Sequence, residues 1–275
     1  MIDPAELLDI AVSLARDAGD VLRRRPADLG ASSKSTPTDT VTVMDRAAEK
    51  VVLDGLARLR PRDRVVAEES GAHAGDRDDR DGGAQVSWYV DPLDGTVNYL
   101  YDLPQWAVSI GVSVGADPVA GVVYDVSRDL VYTAVRGQGA RCNDRPLHCT
   151  DQTDPSLALV ATGFAYAAET RAEQAQVLRG VLPRVRDIRR LGSAALDLCA
   201  VAAGMVDGYF EAGMNPWDWA AGALVAREAG ARVGGLGGAP PGRHLTLAAN
   251  PGLFDALERL LLDAGAPAGG DGRAS

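Results

Sequence analysis

The residues best suited to chemistry stand in one short string, Asp91-Pro92-Leu93-Asp94-Gly95-Thr96. The preceding run, Val86-Ser87-Trp88-Tyr89-Val90, has the apolar and β-branched character of a buried strand. That strand ends on Asp91, so Asp91 and Asp94 frame a short turn. Carboxylates so placed can converge on a divalent cation, and magnesium takes oxygen ligands in octahedral geometry. Leu93 can offer its backbone carbonyl, because its apolar side chain has to point elsewhere. Gly95 and Thr96 open a short helix whose free amides and dipole suit a phosphate group. The competing interpretation is an Asp-capped turn, since Asp-Gly is a common turn signal.

Other acids support the first interpretation. Glu68-Glu69 follows the short strand Val65-Val66-Ala67, although adjacent glutamates are usually a solvated loop. A turn at Gly192-Ser193-Ala194 begins another helix, and Asp207-Gly208-Tyr209-Phe210-Glu211 follows. Asp218 stands between Trp217 and Trp219, an unusual setting for a random surface carboxylate. Its structural alternative is a helix N-cap. Phosphatases with an aspartyl nucleophile need two aspartates two apart after a strand. Asp91 and Asp94 are three apart, which favours activated water over a covalent phospho-aspartate.

Two kinds of half position these groups. Asp3, Pro4 and Glu6 start a helix with apolar residues at helical spacing to Leu22. Residues 32–39 read as a turn or hairpin, and a second helix runs from Thr42 to about Arg60, stopped by Pro61. After a charged loop at 71–85 and the strand 86–90, strands are expected at Trp106–Val114, Val119–Tyr124 and Leu130–Val135. Turn residues dominate 137–155. Beyond them strands (157–162, 185–191, 206–211, 231–234, 245–249) alternate with helices (169–183, 193–203, 217–229, 251–263). The expected class is therefore an α+β half, residues 1–140, followed by an α/β half, 141–265, with a disordered tail at 266–275.

Composition narrows the possibilities. The chain has 275 residues and is 46% hydrophobic, which suits a globular protein with a substantial core. No run approaches the roughly 20 apolar residues that span a bilayer, and the acidic N-terminus lacks signal-peptide character. The three cysteines, Cys142, Cys149 and Cys199, show no C-x-x-C spacing, which fits a reducing, cytoplasmic setting. A net charge of −10 argues against nonspecific nucleic-acid binding, although bridging cations let an acidic enzyme take anionic substrates.

The ordered motifs Asp39-x-Val41-Thr42-x-x-Asp45, Glu68-Glu69-Ser70, Asp91-Pro92-Leu93-Asp94-Gly95-Thr96-x-Asn98-Tyr99, Gly192-Ser193-Ala194-Ala195, and Glu211 followed by Trp217-Asp218-x-Ala220-Ala221-Gly222 resemble the inositol monophosphatase family, within the lithium-sensitive, magnesium-dependent phosphatases. The resemblance runs from about Ala5 to Leu262. It implies a layered α-β-α-β-α sandwich, a homodimer, and two magnesium ions with room for a third, weaker one near Glu68. By similarity Glu68, Asp91 and the Leu93 carbonyl hold the first ion, and Asp91, Asp94 and Asp218 the second. Thr96 positions and activates water, with Asp45 accepting its hydrogen bond. Glu69 and Lys34 stand behind these ligands. The amides of Gly95 and Thr96 hold phosphate, while Glu211, Ala194 and the Asp94 and Asp218 carboxylates meet the substrate.

The expected reaction is hydrolysis of a small phosphorylated polyol, myo-inositol monophosphate first. Histidinol phosphate, fructose 1,6-bisphosphate and a 3′-phosphonucleotide are alternatives, because the family shares one metal site among them. A non-catalytic regulatory protein on the same fold should have lost ligands, and Glu68, Asp91, Asp94, Thr96 and Asp218 are all present. The run Asp76 to Gly82 fails EF-hand spacing at Arg80, and the three histidines are too scattered for a triad. Gly234-Gly235-Leu236-Gly237-Gly238 lacks the Lys-Ser/Thr of a phosphate loop. Trp88, Trp106, Tyr209 and Phe210 are expected in the core.

Overall fold

A computed structural model of the chain describes residues 3–73 and 84–267. Helix α1 (Pro4–Arg23) starts where the Asp3 carboxylate accepts a hydrogen bond from Ala5 N at 2.9 Å. Its buried stripe, Leu7, Leu14 and Leu22 with Ala11, Ala15 and Ala18 between, recurs every three or four residues. Burying each large side chain is worth about 1.5–3 kcal/mol. Helix propensity separates ordinary residues by only a few tenths. Packing, not propensity, therefore holds α1 in place. The expected hairpin forms as β1 (Ser32–Ser33) and β2 (Thr40–Val41). Helix α2 (Val43–Leu59) is capped by Thr42 and ends at Arg60, before Pro61.

The first sheet is built from β3 (Arg64–Ala67), β4 (Gly71–His73), β5 (Val86–Asp94), β6 (Ala107–Val114), β7 (Asp117–Asp125), β8 (Leu130–Val135), β9 (Ala140–Cys142) and β10 (Arg145–Pro146), with the short helix α3 (Thr96–Leu100) after β5. Its order is β10-β9-β8-β7-β6-β5-β3-β4, and only β3 and β5 run parallel. Two expectations need correction. Residues 71–73 of the supposed loop pair with β3 as an edge strand, because Ala67 and Gly71 close a tight reversal. Strand β5 does not stop at Asp91 but continues to Asp94. The stretch Asp76 to Gly82 lies outside the described residues. The turn-rich segment after 137 contributes β9 and β10 to this same sheet.

The second sheet holds β11 (Leu159–Thr162), β12 (Asp187–Arg189), β13 (Gly208–Glu211), β14 (Arg232–Gly234) and β15 (Thr246–Ala249), interleaved with α4 (Ala168–Val181), α5 (Ala194–Ala202), α6 (Pro216–Glu228) and α7 (Pro251–Asp263). Its order is β12-β11-β13-β15-β14. Of these strands only β12, β11 and β13 are parallel. Strand β15 runs antiparallel to both neighbours; between it and β14 the chain makes only a short 3-10 turn, Leu236–Gly238, and no α-helical crossover. The expected strand at 185–191 shrinks to three residues. Ala266 is buried at the start of the presumed tail, and residues 268–275 lie outside the described residues.

Three apolar layers hold these parts together. Helices α1 and α2 cover one face of the first sheet, around Trp88, Ile110 and Leu56. Helices α5 and α6 fill the space between the sheets, around Leu198, Tyr209 and Leu224. Helices α4 and α7 close the far face of the second sheet, around Phe210, Phe254 and Leu257. The architecture is the layered α-β-α-β-α sandwich. With both faces covered, β6 and β7 read as nearly continuous apolar runs rather than alternating ones.

Two glycines let α6 lie directly on the first sheet. A Cβ on Gly111 would stand 2.8 Å from Ala220 Cβ and 2.9 Å from Ala221 N, and one on Gly121 would stand 3.1 Å from Ala221 Cα. Helix backbone cannot yield as a flexible side chain does. Gly111→Ala is therefore expected to lift α6 and cost about 1–3 kcal/mol of overpacking strain. Urea denaturation checks this, and an unchanged midpoint would refute the close-packing explanation.

Candidate active site

Asp91 and Asp94 are three residues apart on one strand, so a regular pleat would send them to opposite faces. The β5–β6 ladder prevents this. Asp91 pairs with Ser109 and Asp94 with Ala107, so β5 spends one residue more than β6 over that interval. Such a bulge re-aims side chains. Pro92, with no N–H to give a ladder, is suited to the irregular stretch. Both carboxylates consequently line one cleft of about 320 Å³, and Asp91 Oδ1 accepts a hydrogen bond from Leu93 N at 3.0 Å.

Gly95 follows with φ 93°, a conformation that disfavours side chains, and a Cβ there would stand 2.8 Å from Gln105 O. Thr96 then places its hydroxyl 2.9 Å from Asp45 Oδ1 and 3.0 Å from Leu93 O. One hydroxyl carries one proton, and the charged acceptor is the stronger. Donation to Asp45 leaves the Leu93 carbonyl unspent. Asp45 itself is fully buried at the third position of α2, where Oδ2 accepts from Thr42 N (2.8 Å) and Thr42 Oγ1 (2.6 Å). One carboxylate thus caps a helix and holds a threonine.

Strand β3 delivers Glu68 beside Asp91, with Glu68 N donating to Val90 O at 3.1 Å. From the β1–β2 hairpin, Lys34 Nζ bonds Glu68 Oε1 at 2.8 Å and is paired with Glu69 as well. Asp94 Oδ2 accepts from Ser193 Oγ (2.6 Å) and Ala195 N (2.7 Å), tying β5 to the start of α5. Asp218 is not the N-cap of α6. Asn215 holds that position, and Asp218, three residues on, reaches back so that its Oδ2 accepts from Asn215 N at 2.6 Å. Across the cleft Glu211 ends β13, its Oε2 accepting from Tyr209 OH at 2.8 Å. Glu68, Asp91, Leu93, Asp94, Gly95, Thr96, Ala194, Glu211 and Asp218 all line the cleft, with Asp45 buried behind Thr96. Tyr166, from the segment 163–170, also lines it, as does Arg190, which the sequence did not flag. The only signal for Arg190 was its place just before the Gly192 turn.

Burial, and then repulsion from Glu68, Asp94 and Asp218, pushes Asp91 well above the usual carboxylate range. Asp218 is raised in the same way, by burial and then Glu68. Asp94 rises only to about 6, because the Ser193 and Ala195 bonds oppose its burial. Burial lifts Glu211 to about 7. Among the described residues, no three His, Cys, Asp or Glu side chains already meet as a metal-holding group. Asp91 lies within hydrogen-bond reach of Glu68, and the other carboxylates of the cleft sense one another electrostatically. A donor set of carboxylates and a carbonyl, all oxygen, has the chemistry of a hard-cation site.

A sequence profile described as the inositol monophosphatase family matches residues 3–264. The chain belongs to the inositol monophosphatase family. It is 44% identical over 280 residues to the inositol-1-monophosphatase of Mycobacterium bovis, covering 93% of each chain. It is 42% identical to the Nus factor SuhB of Pasteurella multocida, covering 82% of this chain and 84% of that one. The solved structure of Mycobacterium tuberculosis SuhB superposes with a TM-score of 0.81 at 42% identity, covering 97% and 99%. This family member is accordingly a phosphatase, a hydrolase by reaction class. No helix among its described residues is long and apolar enough to cross a membrane.

One acid near the site was not foreseen. Asp197 on α5 is 1% exposed, and neither carboxylate oxygen has a partner among the described residues. Burial first, then the charges of Glu211 and Asp94, push it well above the usual range, against a weaker pull from Arg190. The folded state therefore holds a proton that the unfolded chain releases near pH 4. Stability falls as pH rises from there toward the folded pKa, by on the order of 1 kcal/mol per pH unit. Asp197→Asn removes that dependence. Its melting temperature in chelator is expected to exceed the wild type's at pH 8 by more than at pH 4.5. A constant difference across that range would refute the assignment.

Proposed function

We propose that this phosphatase hydrolyses a myo-inositol monophosphate, or a closely similar polyol phosphate, with magnesium as its cofactor and water as the nucleophile. The observation that carries this is the assembly of Glu68, Asp91, Asp94 and Asp218 on one cleft, with Glu211 on the opposite wall. Glu68, Asp91 and the Leu93 carbonyl would hold one ion, and Asp91, Asp94 and Asp218 a second. Bound magnesium would neutralise the phosphate's charge and acidify a water.

The chain's own groups do the remaining work. The Thr96 hydroxyl donates its hydrogen bond to Asp45, so the Thr96 oxygen keeps lone pairs to accept a hydrogen bond from the attacking water and orient it. The Gly95 and Thr96 amides face the phosphate. Glu211 is an acceptor for substrate hydroxyls, with Ala194 beside them, and Tyr209 fixes its carboxylate. Water adds its oxygen to phosphorus, the ester P–O bond breaks, and one of the water's protons ends on the departing polyol oxygen while phosphate keeps the other. The name Nus factor belongs to a relative. In this chain the complete acid set supports catalysis.

Three free cysteines support a reducing, cytoplasmic setting. The family resemblance supports a homodimer; Tyr101 and Leu103, next to α3, are exposed residues that such a contact would cover.

Asp94→Asn keeps an acceptor oxygen for Ser193 and Ala195 while removing a charge. It is expected to lower kcat more than ~100-fold, beyond the loss typical for residues that only support a metal ligand. Circular dichroism should stay unchanged. Near-normal turnover in saturating magnesium would sink the mechanism. Glu211→Gln should raise KM for inositol monophosphate more than it lowers kcat, measured by phosphate release. A panel of inositol 1-phosphate, histidinol phosphate, fructose 1,6-bisphosphate and a 3′-phosphonucleotide, with and without lithium, tests the substrate. Equal rates on all four would defeat the inositol assignment.

A further inference from the structure

A second cavity, of about 300 Å³, lies directly behind the Glu211 wall of the cleft, between the second sheet and α4. It shares Gly163, Phe164, Glu211 and Ala212 with the cleft, so the two spaces meet along that wall. Its surface is dominated by Phe164, Phe210, Val177, Leu245 and Ala266. An apolar cavity of this size with a few polar groups at its edge has the character of a small-molecule pocket.

The partition is unusually thin. A Cβ on Gly163 would stand 2.0 Å from Glu211 Oε2, so only glycine lets the carboxylate occupy the space between the two chambers. The loop that follows is held from two sides. Ala165 N donates to Gln174 Oε1 on α4 at 2.9 Å, and Thr38 Oγ1 donates to Tyr166 O at 2.8 Å. Thr162 Oγ1 is satisfied by Phe210 O at 2.8 Å and offers the cavity only its methyl group. At the rim Thr170 and Glu173 have no side-chain partner among the described residues. The walls are therefore braced and largely apolar, and they adjoin the cleft at Gly163, Phe164, Glu211 and Ala212.

We propose that this cavity is an extension of the catalytic cleft that takes an aromatic group carried by the substrate's alcohol on the side away from the phosphate. The inference rests on the phosphatase reading above and adds a substrate class to it: sugar or polyol phosphates bearing an apolar substituent. A bare polyol reaches Glu211 and stops there. An aryl-substituted ring passes the same hydroxyl to Glu211 and buries its aryl group between Phe164 and Phe210.

A matched pair of esters tests this: phenyl β-D-glucopyranoside 6-phosphate and methyl β-D-glucopyranoside 6-phosphate, assayed with magnesium beside inositol 1-phosphate. The phenyl ester is expected to have a kcat/KM about tenfold or more above the methyl ester, from partial burial of the ring. Val177→Trp, which fills the cavity away from the catalytic groups, should reduce that ratio to within about twofold and leave kcat/KM for inositol 1-phosphate unchanged. If that variant does not fold, Thr170→Trp at the rim serves the same purpose. Equal kcat/KM for phenyl and methyl esters in the wild type overturns the proposal. So does a filled cavity that leaves the phenyl preference intact. Failure to hydrolyse any ester, inositol 1-phosphate included, instead sinks the phosphatase reading and this proposal with it.

Discussion

Buried like charge is the constraint on which the rest depends. Asp91, Asp94 and Asp218, with Glu68 nearby, share a cleft where burial raises the proton affinity of all three aspartates and the charge of Glu68 raises it further. Such a group is costly to assemble, because an uncompensated buried carboxylate tends to neutralise by taking a proton. Three are accordingly braced from outside, Glu68 by Lys34, Asp94 by Ser193 and Ala195, and Asp218 by the Asn215 amide, while Asp91 is held by Leu93 N within its own turn. The bracing keeps the carboxylates facing one space that they would otherwise leave. A divalent cation is the partner whose charge suits that space.

The layers follow from the need to bring three separate chain segments to that space. Strand β5 carries Asp91 and Asp94, the end of β3 leads into Glu68, and α6 carries Asp218 from the other side of the first sheet. Helix α6 reaches it only because Gly111 and Gly121 present no side chain to its backbone. Helix α5 is locked to β5 through Asp94, so the helices filling the middle layer are positioned by the same carboxylate that faces the cleft. Stability and chemistry share atoms here. Asp45, capping α2 and holding Thr96, is the clearest case.

Asp197 shows the cost of such an arrangement. It lies in the middle layer without a hydrogen-bond partner among the described residues, near Glu211 and Asp94. A neutral acid is tolerable there, while an ionised one is not. The second sheet contributes the less charged wall, where Glu211 separates the cleft from an apolar space. In the proposed reaction the work is divided between the two sheets, the first carrying most of the acids and the second the wall assigned to the rest of the substrate.

Much of this was legible in the residues alone. Asp3-Pro4, Thr42 with Pro61, and Gly95-Thr96 marked helix limits, because caps and breakers act within a turn of chain. Ordered acidic motifs identified the family and the candidate ligands. What local signals could not reveal was the bulge that brings Asp91 and Asp94 to one side, since it exists only in the register with β6. Pairing of Gly71–His73 with β3, the reversal of β15, and the place of Asp218 behind its true cap, Asn215, were likewise settled by partners distant in sequence or by backbone geometry. Arg190, Asp197 and the cavity behind Gly163 carry no motif at all. Their character comes from what surrounds them, and burial is a property of the packed molecule rather than of the residue.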